Sequence, residues 1–231
     1  MQDQQALSVL LASLKAMGGV IPSDSVAAGS IETVAGGQPS QGTIRILTKG
    51  LTETLVQITM PDGTRSTVYG NGQASETVSD SVKALPLELA VTSQAPEFPL
   101  PFVAALLNDP DMSFRYVGIE NSNGTSLQHI QAWKSFKSQP NLQFLCAFSM
   151  RDIWIDAASS LPQRISYIRR LARGAVAGVA VDYFYSNYQN SSGVLYPFSI
   201  ERSLNGTPWA TIKINSVALD TGLTDSNFGV Q

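Results

Sequence analysis

Few side chains in this sequence are of the types that do chemistry, and their spacing limits what they can do. His129 is the only histidine and sits in Gln128-His129-Ile130-Gln131-Ala132-Trp133, a run that alternates like a strand. A hydrolytic triad needs its histidine oriented by an acid and beside a serine, and no Gly-x-Ser-x-Gly turn accompanies this one. His129 therefore reads as a partly exposed strand residue. One histidine and one cysteine are too few for a metal site of three or four such ligands. Cys146 lies in the apolar run Phe144-Leu145-Cys146-Ala147-Phe148 and reads as a small buried hydrophobe. The acid pairs Asp109/Asp111 and Asp220/Asp225 read as turn residues bonding their own backbone. Gly70-Asn71-Gly72 lies in a hairpin and opens no helix, so it is not a phosphate loop. Arg164, Arg169, Arg170 and Arg173 are the only basic cluster. Strand alternation sends them to both faces, which predicts a solvated rim. The expectation is a protein that is not an enzyme and uses no cofactor or metal.

The aromatic residues are more suggestive. Tyr183, Phe184, Tyr185 and Tyr188 fall close together, and Tyr196 and Phe198 follow after a turn. Val181–Ser186 is apolar or aromatic on both sides of a strand, so it is either covered on both faces or has one face lining a ligand cavity.

The elements that must position these residues are mostly strands. Leu7, Leu10, Leu11, Leu14 and Met17 mark one face of a helix that Gly18-Gly19 stops. From Ile31 the period changes to two, as in Thr43–Ile46 and Leu55–Met60. Ala35-Gly36-Gly37-Gln38, Asp62-Gly63, Asn71-Gly72, Asn123-Gly124 and Asn205-Gly206 supply the turns. Asn-Gly and Asp-Gly suit the tight hairpin turns that need positive φ, so the strands form an antiparallel meander. Asn123-Gly124-Thr125, Asn190-Ser191-Ser192 and Asn205-Gly206-Thr207 also fit a glycosylation pattern but read as turn chemistry. Pro86, Pro96, Pro99 and Pro101 forbid a long helix or central strand there. That segment, with a short helix over 101–108, reads as an excursion packed on the sheet. Further strands are expected at 113–120, 127–134, 143–150, 153–156, 164–170, 179–188, 196–201 and 209–217. Asp156–Pro162 is a turn. About ten strands and two helical pieces predict an α+β fold: one large antiparallel sheet with helices on one face.

Composition narrows the function classes. Of 231 residues, 15 are Lys or Arg and 18 Asp or Glu, 14% in all, and mean hydropathy is +0.03. Ordinary soluble domains are roughly 25% charged. A net charge of −3 argues against nucleic acid as a partner, since phosphate binding needs clustered cations. No apolar run is long enough for a membrane-spanning helix, which predicts a protein that is not integral to a membrane. Met1-Gln2-Asp3-Gln4-Gln5 has neither the basic nor the apolar part of a signal peptide. It reads as a mature terminus with an added Met.

The order of segments resembles the LolA/LolB superfamily of periplasmic lipoprotein carriers and sorting proteins. The N-terminal leucine helix ending Ala16-Met17-Gly18-Gly19 leads to a first strand near Ile31-Glu32-Thr33. Phe102–Leu107, Asp109-Pro110 and Tyr116-Val117-Gly118-Ile119-Glu120 match the family's middle helix and returning strand. Asp152-Ile153-Trp154-Ile155-Asp156 followed by Leu161-Pro162-Gln163-Arg164-Ile165 is similar to its aspartate-to-Leu-Pro hairpin. Val181-Asp182-Tyr183-Phe184, Gly193–Phe198, Ile212–Val217 and Leu223–Phe228 complete the likeness over nearly the whole chain. The resemblance implies one domain over 1–231: a large curved antiparallel sheet, an unclosed half-barrel, with helices covering its concave face. It implies a monomer in the periplasm, or otherwise exported, that carries a hydrophobic ligand, lipid or lipoprotein acyl chains. The alternative it implies is a regulatory sensor of the bacterial envelope that binds a protein partner. Carriers latch their lid with an arginine on an early strand, and Arg45 matches that position only loosely. The expected ligand-lining residues are Ile44, Ile46, Val56, Ile58, Ile153, Ile155, Ile165, Phe184, Phe198, Ile212 and Ile214.

Overall fold

A computed structural model describes residues 3–35, 37–70, 72–79, 81–92, 96–169 and 178–229. Helix α1 (Gln4–Ala16) starts where Asp3 caps it, its Oδ1 accepting from the amides of Gln5 and Ala6 at 2.9 and 3.2 Å. The other carboxylate oxygen accepts from the Tyr116 amide at 3.0 Å, so the same side chain ties the helix to the sheet. Gly18 and Gly19 end it at φ 124° and 74°, and a Cβ on Gly18 would lie 2.7 Å from the Gly193 carbonyl oxygen.

Six strands follow: β1 (Asp24–Ala35), β2 (Gln38–Lys49), β3 (Glu53–Met60), β4 (Gly63–Gly70), β5 (Gln73–Val78) and β6 (Ser81–Ala84). Helices α2 (Leu87–Thr92) and α3 (Pro99–Asn108) come next. The second half holds β7 (Met112–Ser122), β8 (Thr125–Lys134), β9 (Arg151–Asp156), β10 (Pro162–Arg169), β11 (Val179–Ser191), β12 (Val194–Leu204) and β13 (Thr207–Leu219). All thirteen described strands form one antiparallel sheet in the order β6-β5-β4-β3-β2-β1-β13-β12-β11-β10-β9-β8-β7. Its edges, β6 and β7, do not pair, so the sheet is unclosed. They are also consecutive in sequence, so the chain between them has to cross the whole sheet. The proline-rich excursion makes that crossing: Pro99 and Pro101 fall in the first turn of α3, where a missing N–H costs nothing.

The side of the sheet that faces α1 and α3 carries the main core. Val9, Leu10, Leu100, Phe102, Val103 and Leu106 from the helices bury against Ile31, Ile44, Ile46, Ile130, Ile153, Ile165, Ile200 and Ile212. Full burial of each such side chain contributes roughly 1.5–3 kcal/mol. The outer face has a smaller cluster, Leu47, Val68 and Phe228, covered by the C-terminal tail. Asp24 anchors that tail by accepting from Thr221 N (2.7 Å), Thr221 Oγ1 (2.6 Å), Gly222 N (2.8 Å) and Leu223 N (3.0 Å).

The expected turns form. Asn123-Gly124 and Asn205-Gly206 both have positive φ at each residue, as does Ser192-Gly193 after Asn190-Ser191. Met60 pairs with Gly63, so the turn there is Pro61-Asp62, one residue earlier than Asp62-Gly63. Gly36, Asn71, Arg170 and Arg173 lie outside the described residues. The strand expected over 143–150 is a 3-10 helix, Pro140–Phe148. β8 already pairs directly with β9, which leaves no slot in the sheet, and Pro140 suits a helical first turn. Only Leu145 of that run is fully buried; Cys146 is half-buried. Asp109 bonds its own turn as expected, accepting from the Asp111 amide at 2.9 Å, whereas two of the acids reach further: Asp220 accepts from Ser23 N and Oγ at 2.7 and 2.8 Å, and Asp225 pairs with Lys49.

Candidate functional site

Two concavities stand out, one on each face. The larger, about 580 Å³, opens on the helix-covered face. Its walls are the ends of β2–β5, with Val56, Ile58, Met60, Arg65, Thr67 and Tyr69, and the facing β10–β13 residues Tyr167, Arg169, Tyr183, Arg202 and Trp209. Glu97, just before α3, completes it. Cavities of roughly 300–1,000 Å³ hold small-molecule ligands.

Strand alternation explains the lining. β11 pairs Tyr183 with Arg202 and Tyr185 with Ile200, while β10 pairs Ile165 with Tyr183, which places all of these on the concave face. The Tyr183 hydroxyl donates to Glu97 Oε1 at 3.0 Å, and the Tyr185 hydroxyl donates to the Pro96 carbonyl at 2.7 Å. The ring of Phe98 packs on Tyr196, centroids 4.4 Å apart. Three aromatics of the sheet thus hold the segment leading into α3. Burial pushes the Tyr183, Tyr185 and Tyr188 hydroxyls well above their ordinary range, so they remain neutral donors.

The cavity's charged residues are arranged unusually. Arg202 lies between the Tyr183 and Trp209 rings, 4.8 Å from each centroid. Its Nε has no hydrogen-bond partner among the described residues, and neither has Oε2 of Glu97, a residue only 3% exposed. Arg151, which is not part of the cavity lining, lies 4.6 Å from the Tyr167 ring centroid and donates to the Phe148 and Met150 carbonyls; burial pushes its guanidinium down to about 10. At the rim Arg65 donates to Asp62 at 2.6 Å.

The second concavity, about 520 Å³, is on the outer face between Glu120, Leu127, Trp154, Arg164, Phe184 and Glu201. His129 lies beside it on β8 with its side chain 12% exposed, the partly exposed strand residue its alternation predicts. Its Nδ1 faces Glu120 Oε1 at 2.6 Å and its Nε2 faces Asp152 Oδ1 at 2.8 Å. Trp154 stacks on the imidazole at 4.4 Å and donates Nε1–H to Glu120 at 2.8 Å. Arg164 covers Trp154 at 4.2 Å and pairs with Asp182 at 2.6 Å. Both ring nitrogens of His129 are taken by carboxylates, so neither is placed to activate a serine.

The sequence matches no protein-family profile and no curated protein. Solved structures do match in three dimensions. An outer membrane lipoprotein-sorting protein domain from Vibrio parahaemolyticus superposes with a TM-score of 0.66 at 12% identity, covering 98% of this chain and 97% of that one. A LolA superfamily protein from Nitrosomonas europaea gives 0.64 at 14% identity, with 96% of each chain covered. The fold is that of the LolA superfamily. A DUF1329 family protein from Desulfovibrio piger gives 0.61 at 13% identity, with 96% of each chain covered.

Within this LolA-like sheet the expected lining residues divide three ways. Val56 and Ile58 wall the large cavity. Ile44, Ile46, Ile153, Ile155, Ile165, Ile212 and Ile214 are buried in the core cluster that includes the helices, with Phe198 packed against it. Phe184 does not share their face: it points outward, 40% exposed, with the Arg164 guanidinium 5.4 Å from its ring centroid. Arg45 alternates with the buried Ile44 and Ile46, so it is exposed on the outer face and cannot reach the helices as a latch. Arg164 and Arg169 do project from opposite faces of β10, one to the outer groove and one to the cavity. Sequence reasoning missed Glu97, Arg202, Tyr69 and Tyr167. Glu97 left one signal: it is the single charge in the apolar stretch Pro96-Glu97-Phe98-Pro99-Leu100.

Proposed function

We propose that this protein is a non-enzymatic binding or carrier protein for a hydrophobic ligand, a lipid or a lipoprotein acyl chain. The observation that carries this reading is the 580 Å³ cavity on the concave face, walled by Val56, Ile58, Met60 and Trp209. Apolar walls with a few converging polar groups are what a lipid tail and its head require. The fold shared with a lipoprotein-sorting domain and a LolA superfamily protein supports the same reading. So does the placing of His129, whose two nitrogens are occupied by carboxylates. The proposal extends to location and assembly: a single-domain monomer working in the periplasm or otherwise outside the cytoplasm. No helix among the described residues is long and apolar enough to cross a membrane.

A second reading, an envelope sensor that binds a protein partner, draws its support from the outer groove with its exposed Phe184.

Titration of delipidated protein with a fluorescent fatty acid or a diacyl lipopeptide tests the first reading. Saturable binding at micromolar protein is expected. Ile58→Trp, which fills the cavity from β3, should weaken it at least about tenfold by removing the space for several methylenes. Absence of saturable binding by the unaltered protein would sink the carrier reading.

A further inference from the structure

The polar groups of the large cavity specify more than apolar burial. Four charged side chains line it besides the Asp62–Arg65 rim pair: Glu76, Glu97, Arg169 and Arg202. They are two of each sign, and Glu97 and Arg202 are not within ion-pairing distance of each other. Each keeps a buried atom without a partner, Oε2 of Glu97 and Nε of Arg202. A buried polar atom left unpaired is costly, and the cost is larger for a charged group. A ligand that supplies a donor to the carboxylate and an acceptor to the guanidinium removes both costs at once. A carboxylate head drawn to Arg202 would be brought against Glu97, and an ammonium head drawn to Glu97 would be brought against Arg202. Glu97 is only 3% exposed, so charge repulsion at its carboxylate is weakly damped.

We propose that the cavity selects single-chain amphiphiles whose uncharged head both donates and accepts hydrogen bonds, a hydroxyl or an amide, with the tail along Val56, Ile58 and Met60. This rests on the carrier reading and adds the class of head group to it. Arg202 is held for the role by its two flanking rings, which fix the guanidinium plane without using its Nε–H. Glu97 is held by the Tyr183 hydroxyl on its other oxygen.

Competition against a fluorescent fatty acid tests it, using four ligands with the same ten-carbon chain: monodecanoylglycerol, decanamide, decanoate and decylamine at pH 7.5. The first two should displace the probe at about tenfold lower concentration than the charged pair, the worth of one hydrogen bond to a charged group. If only the glycerol ester does so, the head is a hydroxyl; if only decanamide does, it is an amide. Glu97→Gln keeps the acceptor for Tyr183 and removes the charge, so it should raise decanoate affinity about tenfold, a gain that misfolding cannot produce. Arg202→Met should lose the preference for neutral heads while still binding the probe. Equal displacement by all four ligands, unchanged in Glu97→Gln, would overturn the head-group inference and leave the carrier reading standing. Failure of both the fluorescent fatty acid and monodecanoylglycerol to bind, the latter followed directly by calorimetry, would overturn both.

Discussion

Asp24 shows how much of this structure hangs on single polar side chains. Its carboxylate is buried at the start of β1 and gathers four donors from Thr221, Gly222 and Leu223. Burial alone would raise its pKa, but the bonds from the Thr221 hydroxyl and from three backbone amides outweigh it and hold the carboxyl below 3.8. A folded-state pKa below the unfolded one means stability that is fully present above pH ~4 and is lost as pH falls through the folded value. Urea midpoints measured from pH 5 to pH 2.5 should fall more steeply for the native protein than for Asp24→Asn. At pH 7 the variant should be less stable by about 2 kcal/mol, because an amide nitrogen now faces backbone donors. A chain of amino acids does not announce such a site: Asp24 is one acid among eighteen acidic residues, and its donors lie at the far end of the sequence. The same limit applies to the cavity. Val56 and Ile58 could be named from alternation on β3, whereas Arg202 and Glu97 line one cavity only because the segment leading into α3 packs on β12 through Phe98 and Tyr196. Phe184 lies on the outer face, opposite to the expected one, because β11 is aromatic on both sides there and alternation does not distinguish the covered side.

At the scale of elements the turns and strands were legible and the exceptions have local causes. Hairpins marked by Asn-Gly formed, since few other residues accept positive φ twice in succession. The run 143–150 has strand-like composition but connects β8 and β9, which pair directly with each other and leave no slot between them, and so it coils. Gly29 marks a feature that composition hides. β1 has an irregularity between Ala28 and Gly29 where it pairs with β13, and there the backbones close in. A Cβ at Gly29 would lie 2.1 Å from the Lys213 carbonyl oxygen and 2.9 Å from the Ile214 Cα. Both obstacles are main chain, so they cannot rotate away. Gly29→Ala should therefore cost about 1–3 kcal/mol, seen as a lower denaturant midpoint with an unchanged slope. A similar approach occurs at Gly42, whose Cβ would meet the Thr59 carbonyl oxygen at 2.2 Å.

For the whole molecule the strand order matters most. Strands β1–β6 make one half of the sheet and β7–β13 the other, and the two halves join along β1 and β13. The first strand and the last are thus neighbours in the middle of the sheet, paired from Ser25 with Leu219 to Thr33 with Ala210. Ending the chain at Leu204 would leave β1 and β12 as open edges over the core and strip the C-terminal tail from Leu47 and Val68. Such a truncated protein should be recovered as aggregate, with no monomer peak on gel filtration, because long unpaired central strands are templates for association. Composition and period gave an antiparallel sheet with helices on one face; they did not give this seam, because pairing between the two ends of a chain leaves no local mark. The seam also has a consequence in time. Closing it means bringing Ser25–Thr33 against Ala210–Leu219, a loop closure that spans most of this sequence. Until β13 docks, β1 is unsatisfied on one side, so folding of the complete sheet is gated by this long-range pairing.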